Sequence, residues 1–355
     1  MTLISLLIFC GQFLEPTATT QFAPLPEDSD YYLERPASVA LDDQGRLYVA
    51  DVEAGVIFRW SKDGKFLGTI GHPGQGPGEF QFQGRRGGGM AGLAIQKNQL
   101  YVIDSRRIIQ VFDLEGKYLS SINPEARMGR MNGFYVTPDG QFIMQQMNFM
   151  SETPTQTLEL FDEKANKVKE LASFGDSSFK REGNAGGRPS GVTITAYSGS
   201  IASTYNAKTN QIIYGHGDKP NLTVLNLKDG KSSKIEVPIA QLDLAQADKD
   251  EFLKLPMFQN QGNFRMKADF PEKKAFFNRI LTSQNSLLVY NESPFFHTIS
   301  GVKVDMNGKK QGDIQLKCGE NGSLFSADGN LIWVQCDEEG EISISQIQFG
   351  NQAGS

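Results

Sequence analysis

The chain has 355 residues, of which 39% are hydrophobic and 21% charged, with 37 glycines and a formal net charge of −6. That balance argues against a non-specific nucleic-acid binder, which needs a basic face. Glycine at this density, without a collagen-like or low-complexity period, points to many turns between many short strands.

The N-terminus reads Met1-Thr-Leu-Ile-Ser-Leu-Leu-Ile-Phe-Cys10, an apolar run followed by polar, Pro- and Thr-rich residues. It is far shorter than the roughly 20 residues of a membrane-spanning helix, so no transmembrane segment is expected. A short apolar stretch before small polar residues is the signal-peptide pattern. Residues 1–20 are therefore read as a leader and the protein as exported (periplasmic, cell-surface or secreted), although no Lys or Arg precedes Arg35. Cys10 follows Leu7-Ile8-Phe9 as in a lipoprotein cleavage site, but Phe9 stands where a small residue belongs, which argues against a lipid anchor there.

Internal repetition then sets the architecture. Residues Pro36-Ala-Ser-Val-Ala-Leu-Asp-Asp-Gln-Gly-Arg-Leu-Tyr-Val-Ala-Asp51 correspond to Met90-Ala-Gly-Leu-Ala-Ile-Gln-Lys-Asn-Gln-Leu-Tyr-Val-Ile-Asp104. Each copy continues into a third strand, an acidic-Gly-Lys turn and a fourth strand; the offset is 53 residues between the aspartates and 52 between Gly64 and Gly116. One repeat is thus a four-stranded antiparallel meander. Asp63-Gly64, Glu115-Gly116, Asp139-Gly140, Asp229-Gly230, Asn307-Gly308 and Asp328-Gly329 supply further hairpin turns, where Gly takes positive φ freely. First hairpins are expected to start near Ala37, Gly92, Gly133, Ile201, Asn278 and Gly322, giving six blades. The sixth lacks an outer strand, and the residues before Pro36 can supply it, so that the two chain ends close the ring and no long edge is exposed.

Residues 36–51, together with Gly71-His-Pro-Gly-Gln-Gly-Pro-Gly-Glu-Phe80, resemble an NHL repeat and its exit loop, closely over 36–80 and less so over 90–122. The resemblance extends to the broad group of exported bacterial six-bladed β-propellers, and implies an all-β fold: a single domain over residues 21–355 with one partly helical insertion near 239–276. Ala245 to Lys254 carries helix-forming residues and stops before Pro256. Fold of this kind does not fix function.

In such a ring, the second-to-third strand connections and the inter-blade loops share one face. Three inter-blade loops are long and glycine-rich, and hold six of the 13 arginines: Arg85, Arg86, Arg127, Arg130, Arg181 and Arg188. Arg35 and Arg279 lie at comparable positions. Glycine admits close backbone approach, and the guanidinium fork suits carboxylate or phosphate. These six are the candidate ligand-binding residues. The competing reading is that arginines bridge blades by pairing with strand-end acids. Asp51 and Asp104 are read as structural caps.

No catalytic residue is assigned. His72, His216 and His297 all map to the long-loop face. Propeller lyases acting on hydroxyglycine-terminated peptides are similar in fold and hold zinc with three histidines, but their local motifs are missing here, so no metal ligand is assigned. Calcium-dependent propeller lactonases need channel-facing acids and amides that the sequence does not single out. Met144, Met147 and Met150 sit three apart, which on a strand alternates faces and suits core filling. With the leader removed, Cys318 and Cys336 remain, an even number that favours a disulfide in an exported protein. The sequence thus reads as an exported, non-catalytic binding propeller that recognises an anionic small molecule, glycan or protein surface. The alternative is a metal-dependent lyase or lactonase using zinc or calcium.

Overall fold

A computed structural model describes residues 13–83, 90–124, 130–148, 154–176, 178–182, 191–259, 265–293 and 295–350. Strand β1 (Glu15–Gln21) comes first, then the blades in sequence. Blade one is β2 (Pro36–Leu41), β3 (Leu47–Asp51), β4 (Val56–Trp60) and β5 (Phe66–Ile70). Two short parallel strands, β6 (His72–Pro73) and β7 (Glu79–Phe80), lead into blade two. Blade two is β8 (Ala91–Gln96), β9 (Gln99–Asp104), β10 (Ile109–Asp113) and β11 (Tyr118–Ile122), and blade three is β12 (Arg130–Val136), β13 (Phe142–Asn148), β14 (Thr155–Phe161) and β15 (Lys167–Gly175). After β16 (Phe179–Glu182) and β17 (Gly191–Thr195), blade four is β18 (Ile201–Asn206), β19 (Gln211–His216), β20 (Asn221–Asn226) and β21 (Ser232–Glu236). The insertion follows, with helices α1 (Gln246–Leu253) and α2 (Pro256–Gln259) and strand β22 (Arg265–Asp269). Blade five is β23 (Arg279–Ser283), β24 (Ser286–Ser293), β25 (Thr298–Asp305) and β26 (Lys310–Lys317). Blade six is β27 (Ser323–Ala327), β28 (Asn330–Cys336) and β29 (Ile342–Gly350), completed by β1.

Ring closure is therefore as the sequence pattern requires: β1 pairs antiparallel with β29, from Glu15 opposite Gly350 to Gln21 opposite Ser345. This strand starts inside the 1–20 segment read as a leader; residues 1–12 lie outside the described residues. The inner strands begin within three residues of the expected positions.

The hairpin turns differ from the simple two-residue form. Asp328-Gly329 joins directly paired residues, Ala327 and Asn330, with both turn residues at positive φ (48° and 75°), as Lys97-Asn98 does between Gln96 and Gln99. At Gly64, Gly116, Gly140 and Gly308 the glycine N–H instead closes a four-residue turn, with glycine alone left-handed. The extra residue adds the bulge seen, for instance, between Arg59 and Trp60.

The apolar core is divided into six clusters, one per seam between neighbouring blades. Blades one and two share Tyr48, Ile57, Phe80, Phe82 and Phe112, with Phe80 stacked on Phe82 at 4.8 Å. Met131 and Met144 fill the seam between blades two and three. The seam between blades three and four also carries polar contacts. There Gln145 Nε2 donates to the Ile201 carbonyl (2.8 Å), the Ile201 N–H donates to Gln156 Oε1 (2.7 Å) and the Tyr135 hydroxyl donates to the Ser203 carbonyl (2.7 Å). Buried amides there add hydrogen bonds across the seam beside its apolar cluster of Ile143, Leu158, Leu160 and Ile212.

Candidate functional site

Inner strands start on the long-loop face, and their first residues form the channel mouth. Arg279 begins β23 there. Its Nε donates to Glu292 Oε2 at 2.9 Å, with the arginine side chain 56% exposed and the glutamate 15%. Glu292 stands near the end of β24, where Asn278 fixes it: the Asn278 side chain donates to the Glu292 carbonyl and accepts its N–H, both at 2.9 Å. Glu292 Oε1 accepts the Ser323 hydroxyl of the next blade at 2.5 Å. Among the described residues the two Nη atoms of Arg279 have no hydrogen-bond partner. Burial raises the Tyr135 hydroxyl pKa, and the positive charge of Arg279 opposes that rise, which places the guanidinium within electrostatic reach of blade three. The mouth thus presents a cation whose terminal nitrogens face solvent, anchored by one carboxylate.

The other arginines divide. Arg85, Arg86, Arg127 and Arg188, and the side chain of Arg130, lie outside the described residues. Arg181 is exposed on β16, in a three-stranded sheet where β17 pairs antiparallel with β16 and parallel with β22 of the insertion. It belongs to this added layer and not to an inner strand. Arg35 meets Glu53 at 2.7 Å within blade one, and Arg106 meets Asp104 at 2.6 Å within blade two while donating to the Gln75 and Glu79 carbonyls; a blade-bridging pair is Arg46 of blade one with Glu115 of blade two at 2.6 Å. Asp51 caps its loop, accepting the N–H groups of Glu34, Arg35, Glu53 and Ala54 at 2.7 to 3.0 Å; Asp104 accepts those of Gln81 and Arg106.

The insertion packs on this same face. Phe252 of α1 contacts Tyr197, which leads into blade four, and Phe295, between β24 and β25, at 6.1 and 6.3 Å between ring centroids. The helix is held electrostatically as well. Asp248 is buried, accepts the Ala245 N–H at 3.1 Å and pairs with Lys274 at 2.7 Å.

The three histidines stand apart in chemistry. His72 is exposed, 3.9 Å from Glu79; His216 stacks on Phe174 with Nδ1 3.4 Å from Asp218; His297 sits in the connection between β24 and β25, at positive φ. Among the described residues no group of three His, Cys, Asp or Glu side chains is arranged to hold a metal.

Cys318 and Cys336, the expected disulfide pair, are two separate thiols in this structure. The strands do bring them together, since the Cys336 N–H donates to the Cys318 carbonyl at 2.9 Å. The side chains diverge. Cys318 is buried among Leu316, Leu324 and Leu331, and burial pushes its thiol up to about 11. Cys336 is half-buried beside Asp337.

Residues 14–254 match a family described as a 6-bladed beta-propeller, DUF5128. The chain belongs to this family. No curated protein matches it. Its fold is similar to that of a DUF4221-family protein from Bacteroides vulgatus, at 13% identity and a TM-score of 0.54, over 96% of this chain and 99% of that one. A protein from Bacteroides fragilis whose description infers export gives 10% identity and a TM-score of 0.53, over 95% and 96% of the two chains. A PQQ-bound aldose sugar dehydrogenase from Streptomyces coelicolor gives 13% and 0.51, over 95% and 98%. At these identities the likeness is one of fold. Among the described residues no helix is long and apolar enough to cross a membrane.

Proposed function

We propose that this DUF5128 member is an exported, non-catalytic binding propeller that takes an anionic ligand, a small molecule, glycan or protein surface, at the channel mouth of its long-loop face. The observation that carries this reading is Arg279, whose side chain is 56% exposed and whose Nη atoms have no hydrogen-bond partner among the described residues. The insertion and the β16–β17–β22 sheet raise a wall on the same face, and long loops on a rigid scaffold are where binding groups concentrate. The arginine-rich loops add positive charge in an otherwise acidic chain. Export is supported by the apolar N-terminal run and by the description of the Bacteroides fragilis relative.

The test is calorimetric titration with phosphate, citrate and an oligogalacturonate. At least one should bind, with affinity falling as salt rises, and Arg279→Ala should weaken it at least tenfold. Unchanged affinity in that variant, or no binding by any of the three, rejects the reading.

A further inference from the structure

A cavity of about 700 Å³ lies away from the channel mouth, between blade six and the segment that joins β1 to β2. That segment, residues 22–35, crosses like a strap: the Ala23 N–H donates to the Gly64 carbonyl at 2.8 Å and the Ala23 carbonyl accepts the Trp60 indole N–H at 2.9 Å. Beneath it the wall is apolar, formed by Phe22, Leu25, Leu33, Trp60, Ile342 and Ile344. The volume is that of a small-molecule site, and the composition, a hydrophobic wall with a few polar groups, is what such sites have.

The polar groups share one sign. Asp337 and Glu341 line the cavity, and among the described residues no Lys, Arg or His does. Strap residues 22–35 and turn residues 337–341 carry eight carboxylates against one arginine, Arg35, which is held by Glu53. Asp337 Oδ1 accepts the N–H groups of Glu339 and Glu341 at 2.9 and 2.8 Å, leaving its Oδ2 and the Glu341 carboxylate without a cationic partner among the described residues. Burial, then the charges of Asp337 and Glu320, also raise the Cys336 thiol, as a negative local potential requires.

We infer that this cavity binds a small amphipathic cation, an amine carried on an aromatic or branched apolar body, with the body against Trp60, Phe22 and Ile344 and the ammonium at Glu341 and Asp337. An anion of the same shape is excluded by charge, since an uncompensated like charge in a half-enclosed site is unfavourable. The site is independent of the channel mouth and opposite to it in charge preference.

The full-length chain is titrated by calorimetry with 2-naphthylmethylammonium and, as its counterpart of the same shape and opposite charge, 2-naphthoate. The ammonium should bind and weaken severalfold between low and high salt, while naphthoate should not bind. Glu341→Gln should weaken the ammonium severalfold. Ser343→Trp, at an exposed lining position on β29, should fill the cavity and lower affinity at least tenfold; Tyr32→Ala, at the exposed rim, provides a second variant that leaves the core untouched and should weaken it severalfold. Equal binding of the two probes, no binding of the ammonium, or full affinity in both Ser343→Trp and Tyr32→Ala overturns the inference.

Discussion

The amide of Cys336 donates to the carbonyl of Cys318 at 2.9 Å, so two cysteines that are backbone neighbours hold their thiols apart. One thiol lies in the core shared by blades five and six and the other lines the strap cavity. A disulfide reagent applied to the folded protein, in a Cys10→Ser background, should therefore modify Cys336 first and Cys318 only on unfolding. Reactivity depends on thiolate fraction and access, and burial opposes both at Cys318. Two equally fast thiols, or none even after unfolding without reductant, would contradict this arrangement.

Ring closure can be tested at a single atom. Gly64 has φ +82°, and a Cβ there would overlap the Gln21 carbonyl oxygen at the end of β1. Gly140 has φ +87° with nothing within 4 Å of its would-be Cβ. Gly140→Ala should cost only the left-handed backbone penalty, about 1–2 kcal/mol. Gly64→Ala should cost that plus roughly 1–3 kcal/mol for the displaced closing strand. Equal losses in chemical denaturation would mean that β1 gives way freely.

The seam between blades three and four should depend on hydrogen bonding. Gln145 is buried, donates to Ile201 and accepts from the Ser203 hydroxyl at 2.9 Å. Gln145→Leu keeps much of the volume but leaves the Ile201 carbonyl and a hydroxyl unpaired. The expected loss is about 1–3 kcal/mol in urea denaturation. A midpoint equal to that of the parent would show that water substitutes for the amide.

The blades were legible because their signals are local. Leu-Tyr-Val-Ala-Asp51 and Leu-Tyr-Val-Ile-Asp104 became β3 and β9 with capping aspartates, and Asp63-Gly64, Asp139-Gly140, Asn307-Gly308 and Asp328-Gly329 marked turns. What stayed hidden is non-local. The stretch beginning at Phe179 reads as a loop, yet forms β16 because β17 finds β22, with Gly191 opposite Arg265, and that parallel pairing crosses a whole blade. Glu292 and Ser323 have no motif of their own; only the packing of blade six against blade five makes them a unit with Arg279. Asn278 at the first strand and the polar Asn291-Glu292-Ser293 end of β24 are the local trace that remained. The two cysteines show the same limit. Register brings the cysteine backbones together, but side-chain direction is set by the core that Cys318 joins.

The pairing of Arg279 with Glu292 makes a signed prediction. Glu292 neutralises part of the guanidinium charge from a side chain only 15% exposed, so it should limit how strongly Arg279 attracts an anion. Glu292→Gln retains an oxygen to accept the Ser323 hydroxyl while removing the negative charge. It should raise the affinity for an oligogalacturonate severalfold and steepen its salt dependence. Arg279→Ala should lower that affinity at least tenfold and flatten the salt dependence, and the double variant should behave like Arg279→Ala, since the carboxylate acts through the arginine. Stability should change little in each case, by less than about 1 kcal/mol, because the arginine side chain is largely exposed. Weaker binding by Glu292→Gln would mean that the carboxylate itself contacts the ligand, and an anion would then be the wrong partner for this site.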